Sequence, residues 1–87
     1  MFVELYTKSQ CSYCVQAKNL LEREMIGAEI TDVSAGSIED QVLARERLID
    51  RVVNATGTPP RTMPQIFIDG EHVGGYDDLV VYLKEHG

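Results

Sequence analysis

The stretch KSQCSYCVQAKNLL, from Lys8 to Leu21, holds both cysteines of the chain, Cys11 and Cys14, with two residues between them. Before it runs FVELYT (Phe2–Thr7), rich in β-branched and aromatic residues, which reads as a buried strand. From Ser12 to about Ile26 the apolar residues Val15, Ala17, Leu20, Leu21 and Met25 recur at helical spacing, and Gly27 is placed to stop that helix. AEITDV (Ala28–Val33) alternates and reads as a second strand. The pair of thiols therefore stands where a strand hands over to a helix. A strand–helix–strand unit of this kind is parallel and right-handed.

The remaining chain follows the same grammar. SAGS (Ser34–Ser37) is a loop, with Ser37 and Asp40 spaced to satisfy free N–H groups of a first helical turn. Ile38, Val42, Ile49, Val52 and Val53 favour a helix to about Thr56, and GTPPRT breaks it with two prolines. QIFID (Gln65–Asp69) is a strand, Asp69-Gly70 a hairpin turn, and EHV a short returning strand. Gly74-Gly75 punctuates, and Tyr76–Glu85 reads as a last helix. The expected fold is α/β: a mixed four-stranded sheet flanked by three helices, in one domain spanning residues 1–87.

Composition bounds the function. The chain has 87 residues, 44% hydrophobic and 25% charged, with a net charge of −6. Nucleic acid is not an expected partner, because phosphate binding needs a basic stripe. Arg45, Arg47 and Arg51 lie close together, but Glu46 and Asp50 sit among them, and the span reads as a solvated helix face. No apolar run approaches the ~18 residues of a membrane span, and MFVELYT lacks the pattern of a signal peptide. A cytoplasmic location is expected, and in that compartment a lone cysteine pair points to redox chemistry or metal binding more than to a structural staple.

Helix positions three apart share a face, with Cβ atoms ~5–6 Å apart, so Cys11 and Cys14 can join and part without refolding. Cys11 lies at the helix start, where free N–H groups and the helix dipole favour an anion, and such a leading cysteine commonly titrates at ~3.5–7.5. Cys11 is thus the candidate nucleophile and Cys14 the resolving thiol, with Lys8 adding positive potential. Structural zinc would need four ligands. One pair is present, and His72 and His86 read instead as a strand-surface and a helix-end residue, so no metal site is expected.

With CSYC (Cys11–Cys14), TMPQIFIDG (Thr62–Gly70) and HVGGYDDL (His72–Leu79) in this order, the chain resembles a glutaredoxin over nearly its whole length, and looks most like the small dithiol bacterial or phage type. The resemblance implies a thioredoxin-like fold and a monomer that reduces protein disulfides and glutathione mixed disulfides. Glutathione would be the cosubstrate, with no tightly bound cofactor; some family members donate electrons to ribonucleotide reductase. By the same resemblance Cys11 and Cys14 are catalytic, and Tyr13 flanks glutathione. Lys8 assists the thiolate and meets the glycine carboxylate of glutathione. Thr62-Met63-Pro64 matches the segment with a cis proline whose preceding residue offers its backbone to the cysteinyl part. Gly75, Tyr76 and Asp77 match the stretch that holds the γ-glutamyl end.

Three departures stand out. Ser12 occupies the place of the family's usual proline, Met63 that of a valine, and TGTPP (Thr56–Pro60) is an extra segment. Ser12 keeps open an alternative in which two subunits and two glutathiones hold an iron–sulfur cluster. A further alternative is a redoxin of this shape reduced by thioredoxin reductase.

Overall fold

The computed structural model describes residues 1–86. In chain order it contains β1 (Val3–Thr7), α1 (Ser12–Arg23), β2 (Ala28–Asp32), α2 (Ile38–Thr56), β3 (Gln65–Ile68), β4 (Glu71–Gly74) and α3 (Tyr76–His86). The four strands form one sheet in the order β2-β1-β3-β4. β1 runs parallel to β2 and antiparallel to β3, and β4 is antiparallel to β3, so the sheet is mixed as the sequence predicts.

Alternation along the central strands sends side chains to two faces. Val3 and Leu5 of β1 and Ile66 and Ile68 of β3 pack with Ala17 and Leu21 of α1 and with Leu79 and Leu83 of α3. Tyr6 and Phe67 point the other way and pack with Val33 and with Leu48 and Val52 of α2. The central strands are buried on both faces. The flanking strand β2 is half-buried to exposed throughout.

Local chemistry sets the element ends. Ser37 and Asp40 form a reciprocal capping box at the start of α2: the Ser37 hydroxyl accepts from Asp40 N–H at 3.1 Å, and the Asp40 carboxylate accepts from Ser37 N–H at 3.2 Å. Gly57, with φ of +84°, closes the same helix in the left-handed conformation that glycine adopts without steric cost. Asp69 and Gly70 both have positive φ, which is what a two-residue hairpin of matching twist demands.

Two expectations are corrected. The first helix stops at Arg23, short of Ile26, and Gly27 plays no part in stopping it. Met25 takes the left-handed conformation instead, at φ +59°. Met25 N–H bonds the Glu22 carbonyl and Ile26 N–H bonds the Leu21 carbonyl, the pair of bonds that satisfies the last carbonyls of a helix. The second correction concerns Arg51, which is not a solvated residue. It is half-buried and grips both oxygens of the Glu4 carboxylate, at 2.8 and 3.0 Å. It also donates to the Tyr6 hydroxyl at 3.1 Å and lies 3.9 Å over the Phe67 ring. Glu4, the one charge on β1, is the reason: on the α2 face it needs a cation, and α2 supplies one. The paired carboxylate holds the guanidinium firmly protonated.

Arg51 thus joins α2 to β1 and β3. Arg51→Ala should destabilise the protein by about 1–2 kcal/mol, from the lost paired bonds and ring contact. Arg51→Lys should recover less than half of that, because an ammonium cannot make the forked contact. Urea unfolding midpoints of the oxidised proteins measure this, and a lysine variant as stable as the parent would contradict it.

Candidate active site

The site begins with the pairing of β1 and β3. Tyr6 lies opposite Gln65, so the chain leaving β1 and the chain about to form β3 meet at one end of the sheet. The first carries Cys11 and the second carries Met63.

The loop after β1 is held from the side of β2. The Asp32 carboxylate accepts from the Ser34 hydroxyl and from Ser34 N–H, and the Ser34 hydroxyl oxygen accepts from Ser9 N–H at 2.9 Å. The two bonds from Ser34 keep the Asp32 carboxyl below its ordinary titration range. Gln10 follows with φ of +54°, turning the chain so that Cys11 becomes the N-cap of α1. Cys11 Sγ accepts from Cys14 N–H at 3.3 Å. That N–H is one of the unpaired donors of the first helical turn, and it favours negative charge on the sulfur. The two sulfurs are joined in a disulfide whose Cα atoms are 5.2 Å apart. Cys14 is 1% exposed, whereas Cys11 is half-buried, so the two sulfurs differ in access.

Cys11 Sγ also lies 3.7 Å from the Met63 carbonyl oxygen. The Met63–Pro64 peptide bond is cis. This second loop is braced by side chains that sequence reading passed over. Gln65 Nε2 donates to the Thr62 carbonyl at 2.8 Å. Its Oε1 lies 2.7 Å from His72 Nε2. Because Gln65 Oε1 can only accept, the His72 proton sits on Nε2. His72 is half-buried, edge-on to the Phe67 ring, rather than a plain surface residue of its strand. Burial lowers its pKa from the usual 6.5, with the Asp78 charge acting weakly the other way. The available signal was Gln65 itself, a polar residue opening the otherwise apolar run QIFI.

Beside the Met63 loop lies a cleft of about 280 Å³. Tyr13, Thr62, Met63 and Pro64 line it together with Gly75, Tyr76, Asp77 and Asp78. The Tyr13 and Tyr76 rings stand 6.3 Å apart across it. Asp78 accepts from Gly75 N–H at 3.0 Å and so closes the first turn of α3. That contact leaves no room at Gly74, where a Cβ would strike the Asp78 carboxylate. Asp77 is exposed, and no side-chain hydrogen bond involves it among the described residues. Lys8 is not part of this cleft. It lines a neighbouring groove that shares Thr62 and Met63 with the cleft. Among the described residues no three His, Cys, Asp or Glu side chains come together as a metal-ligand set. No described helix is long and apolar enough to cross a membrane.

A family model for glutaredoxin matches residues 3–73. The chain belongs to the glutaredoxin family. It is 33% identical over 87 residues to glutaredoxin 1 of Escherichia coli K12, covering 94% of this chain and 92% of that protein. The crystal structure of glutaredoxin 1 from Francisella tularensis, complexed with cacodylate, superposes with a TM-score of 0.74 at 30% identity, covering 97% of this chain and 93% of that one. A buckwheat glutaredoxin–glutathione complex shares the fold, with a TM-score of 0.73 at 24% identity over 97% of this chain and 69% of that one. The thioredoxin-like fold implied by the motifs is therefore the fold of this protein. Glutaredoxins are thiol–disulfide oxidoreductases, and the paired Cys11 and Cys14 at the start of α1 are the elements such chemistry requires.

The position of His72 has a consequence for pH. The lowered pKa means that the unfolded chain takes up a proton first as pH falls below 6.5. Stability should be full above that value and decline from about pH 6.5 down to the depressed pKa of the folded state. The Asp32 contribution is lost only at lower pH, below 3.8. Urea midpoints of the oxidised protein between about pH 7 and pH 5 should therefore fall, and His72→Gln should flatten that slope. An unchanged slope in the variant would assign the effect elsewhere.

Proposed function

We propose that this protein is a glutathione-dependent dithiol oxidoreductase that reduces protein disulfides and glutathione mixed disulfides. The observation that carries the reading is a cleft lined by both the Met63 loop and the start of α3, with Cys11 Sγ 3.7 Å from the Met63 carbonyl oxygen. A γ-glutamyl tripeptide presents a thiol, peptide groups and two charged ends. The Met63 backbone suits its cysteinyl part, whose sulfur would then lie near Cys11. The free carboxylate of Asp77 suits the γ-glutamyl ammonium, and the α3 N-terminus suits the adjoining carboxylate. Tyr13 and Tyr76 provide apolar walls, and Gly75 permits close approach of the ligand to backbone. Lys8, which lines a groove together with Thr62 and Met63, suits the glycine carboxylate. Glutathione acts as a cosubstrate, not as a resident cofactor.

In the reaction the Cys11 thiolate attacks one sulfur of a substrate disulfide. A mixed disulfide forms and the other substrate sulfur leaves as a thiolate. With a protein disulfide, the Cys14 thiolate then attacks Cys11 Sγ, releasing the second substrate thiolate and leaving the Cys11–Cys14 bond. Two glutathione molecules restore the dithiol: the first forms a mixed disulfide at Cys11, and the second removes it as glutathione disulfide. Ribonucleotide reductase is one protein disulfide that such a donor would serve. A cytoplasmic, monomeric, single-domain protein fits this role.

Glutathione-coupled turnover of a small mixed disulfide tests the reading directly. Cys11→Ser should abolish all thiol transfer. Cys14→Ser should retain reduction of the glutathione mixed disulfide, because glutathione can replace the resolving thiol but nothing replaces the attacking one. Complete loss of that reaction in Cys14→Ser would overturn the division of roles.

Asp77→Ala should raise the glutathione requirement roughly tenfold or more, as expected for a charge-assisted bond of about 1.5–3 kcal/mol. Asp78→Ala should act chiefly on stability, by about 1 kcal/mol, through loss of its bond to Gly75. Titrating glutathione against turnover in both variants separates them, and the reverse ranking would move the γ-glutamyl position to Asp78.

A further inference from the structure

Neither Gln65 nor His72 lines the cleft, yet both act on the loop beside Cys11. Gln65 opens β3 and is only 6% exposed. A buried amide needs partners for its NH2 group and for its oxygen. The Thr62 carbonyl can only accept, so Gln65 turns its NH2 group to that side, at 2.8 Å, and its oxygen to His72, at 2.7 Å. His72 donates to that oxygen from Nε2 and holds the amide in plane. Protonation of His72 adds an N–H at Nδ1 and leaves the one at Nε2, so the brace is the same in either charge state.

The bond from Gln65 acts on a segment with few other anchors. Arg61 and Thr62 are exposed, and the side-chain hydrogen bonds of Thr56 and Thr58 stay within that turn and the end of α2. On the other side of Met63, Pro64 is fully buried. Met63 is therefore pinned between a buried proline and the peptide group whose carbonyl Gln65 holds. Its own carbonyl oxygen lies 3.7 Å from Cys11 Sγ, and Cys14 N–H donates to the same sulfur at 3.3 Å. Once the disulfide is reduced, these two neighbours oppose each other. The N–H favours the thiolate. The carbonyl oxygen accepts from the thiol S–H and turns its negative end toward a thiolate, so it favours the neutral form.

We infer that Gln65 and His72 are positioning residues for thiol exchange: they hold the Met63 carbonyl against Cys11 Sγ, where it offsets the pull of the helix terminus on the thiol proton. The inference rests on Cys11 as the attacking sulfur and needs no glutathione. A helix start acidifies its leading cysteine, but nucleophilicity falls as a thiol becomes more acidic, and the best attacking thiol titrates near ambient pH. The carbonyl keeps Cys11 from over-acidification, and the brace sets how closely the carbonyl stands. The charged side chains on the bordering elements are Lys8 before α1, Arg61 before Met63, and Asp77 and Asp78 at the start of α3. Glu71, Asp78 and Glu85 line the hollow that contains His72. The substitutions below leave all of these in place.

The experiment uses the full chain in its reduced form. The rate of iodoacetamide alkylation at Cys11, read by peptide mass, is followed against pH, and its midpoint reports the thiol titration. Gln65→Met, which removes the amide, and His72→Phe, which keeps a ring against Phe67 but removes the donor, should each lower the midpoint by roughly half a pH unit. His72→Gln, whose amide places an N–H near the Nε2 position, should restore the parent midpoint. Ser37→Ala, destabilised by loss of the α2 cap, should leave the midpoint where it is, which separates positioning from general loosening. An unmoved or raised midpoint in His72→Phe overturns the inference, as does a shift of equal size in Ser37→Ala. If Gln65→Met fails to fold, His72→Phe and His72→Gln decide the matter alone. Alkylation of Cys14 ahead of Cys11 in the parent overturns the assignment of the attacking sulfur and this inference with it. Failure of the glutathione reading shows elsewhere, as absent glutathione-coupled turnover by a parent whose variants still shift the midpoint.

Discussion

The antiparallel pairing that sets Tyr6 opposite Gln65 is the constraint on which the site depends. Antiparallel neighbours place the end of one strand beside the beginning of the other. The loop that carries Cys11 therefore emerges beside the loop that carries Met63, although the two residues are 52 positions apart in sequence. The meeting of Cys11 Sγ with the Met63 carbonyl follows from that register. A slip of one residue would turn Gln65 from the α2 face to the other and withdraw the bond that holds Thr62.

Each of the two loops is then braced by a short polar chain from a flanking strand. Asp32 and Ser34 at the end of β2 hold Ser9, and His72 of β4 acts through Gln65 to hold Thr62. The two braces differ in kind. The first is anchored by a carboxylate that its hydrogen bonds keep charged. The second is anchored by an imidazole that burial keeps neutral. Loop geometry beside the sulfurs thus draws on both outer strands of the sheet, while the apolar core beneath is built from the two inner strands.

Much of this fold could be read before the structure. The Ser37–Asp40 cap, the Asp69-Gly70 turn and the alternation in β1 and β3 are local signals, each decided within a few residues. The end of α1 was misplaced because glycine is the usual left-handed residue and Gly27 stood close by. Met25 takes the conformation instead, exposed to solvent where its side chain meets no neighbour that forbids it. Arg51 was read as solvated because its partners, Glu4 and Tyr6, are more than forty positions away in sequence. The residues around the cleft were legible only through the family motifs, since Thr62, Gly75 and Asp77 carry no local sign of converging. The motifs did not show that Lys8 and Tyr13 line different hollows, which share Thr62 and Met63.

The burial of Cys14 reaches beyond the question of which sulfur attacks first. At 1% exposure, it offers no line of approach to an external thiolate when the disulfide is closed. An incoming reductant must strike Cys11, displacing Cys14 as the leaving group. The intermediate it forms has the same connectivity as the one formed when the dithiol reduces a substrate. By microscopic reversibility, oxidation and reduction of this protein then run over one path in opposite directions. The direction of net flow is set by the thiol and disulfide pools on either side, with no structural ratchet in the protein to favour one.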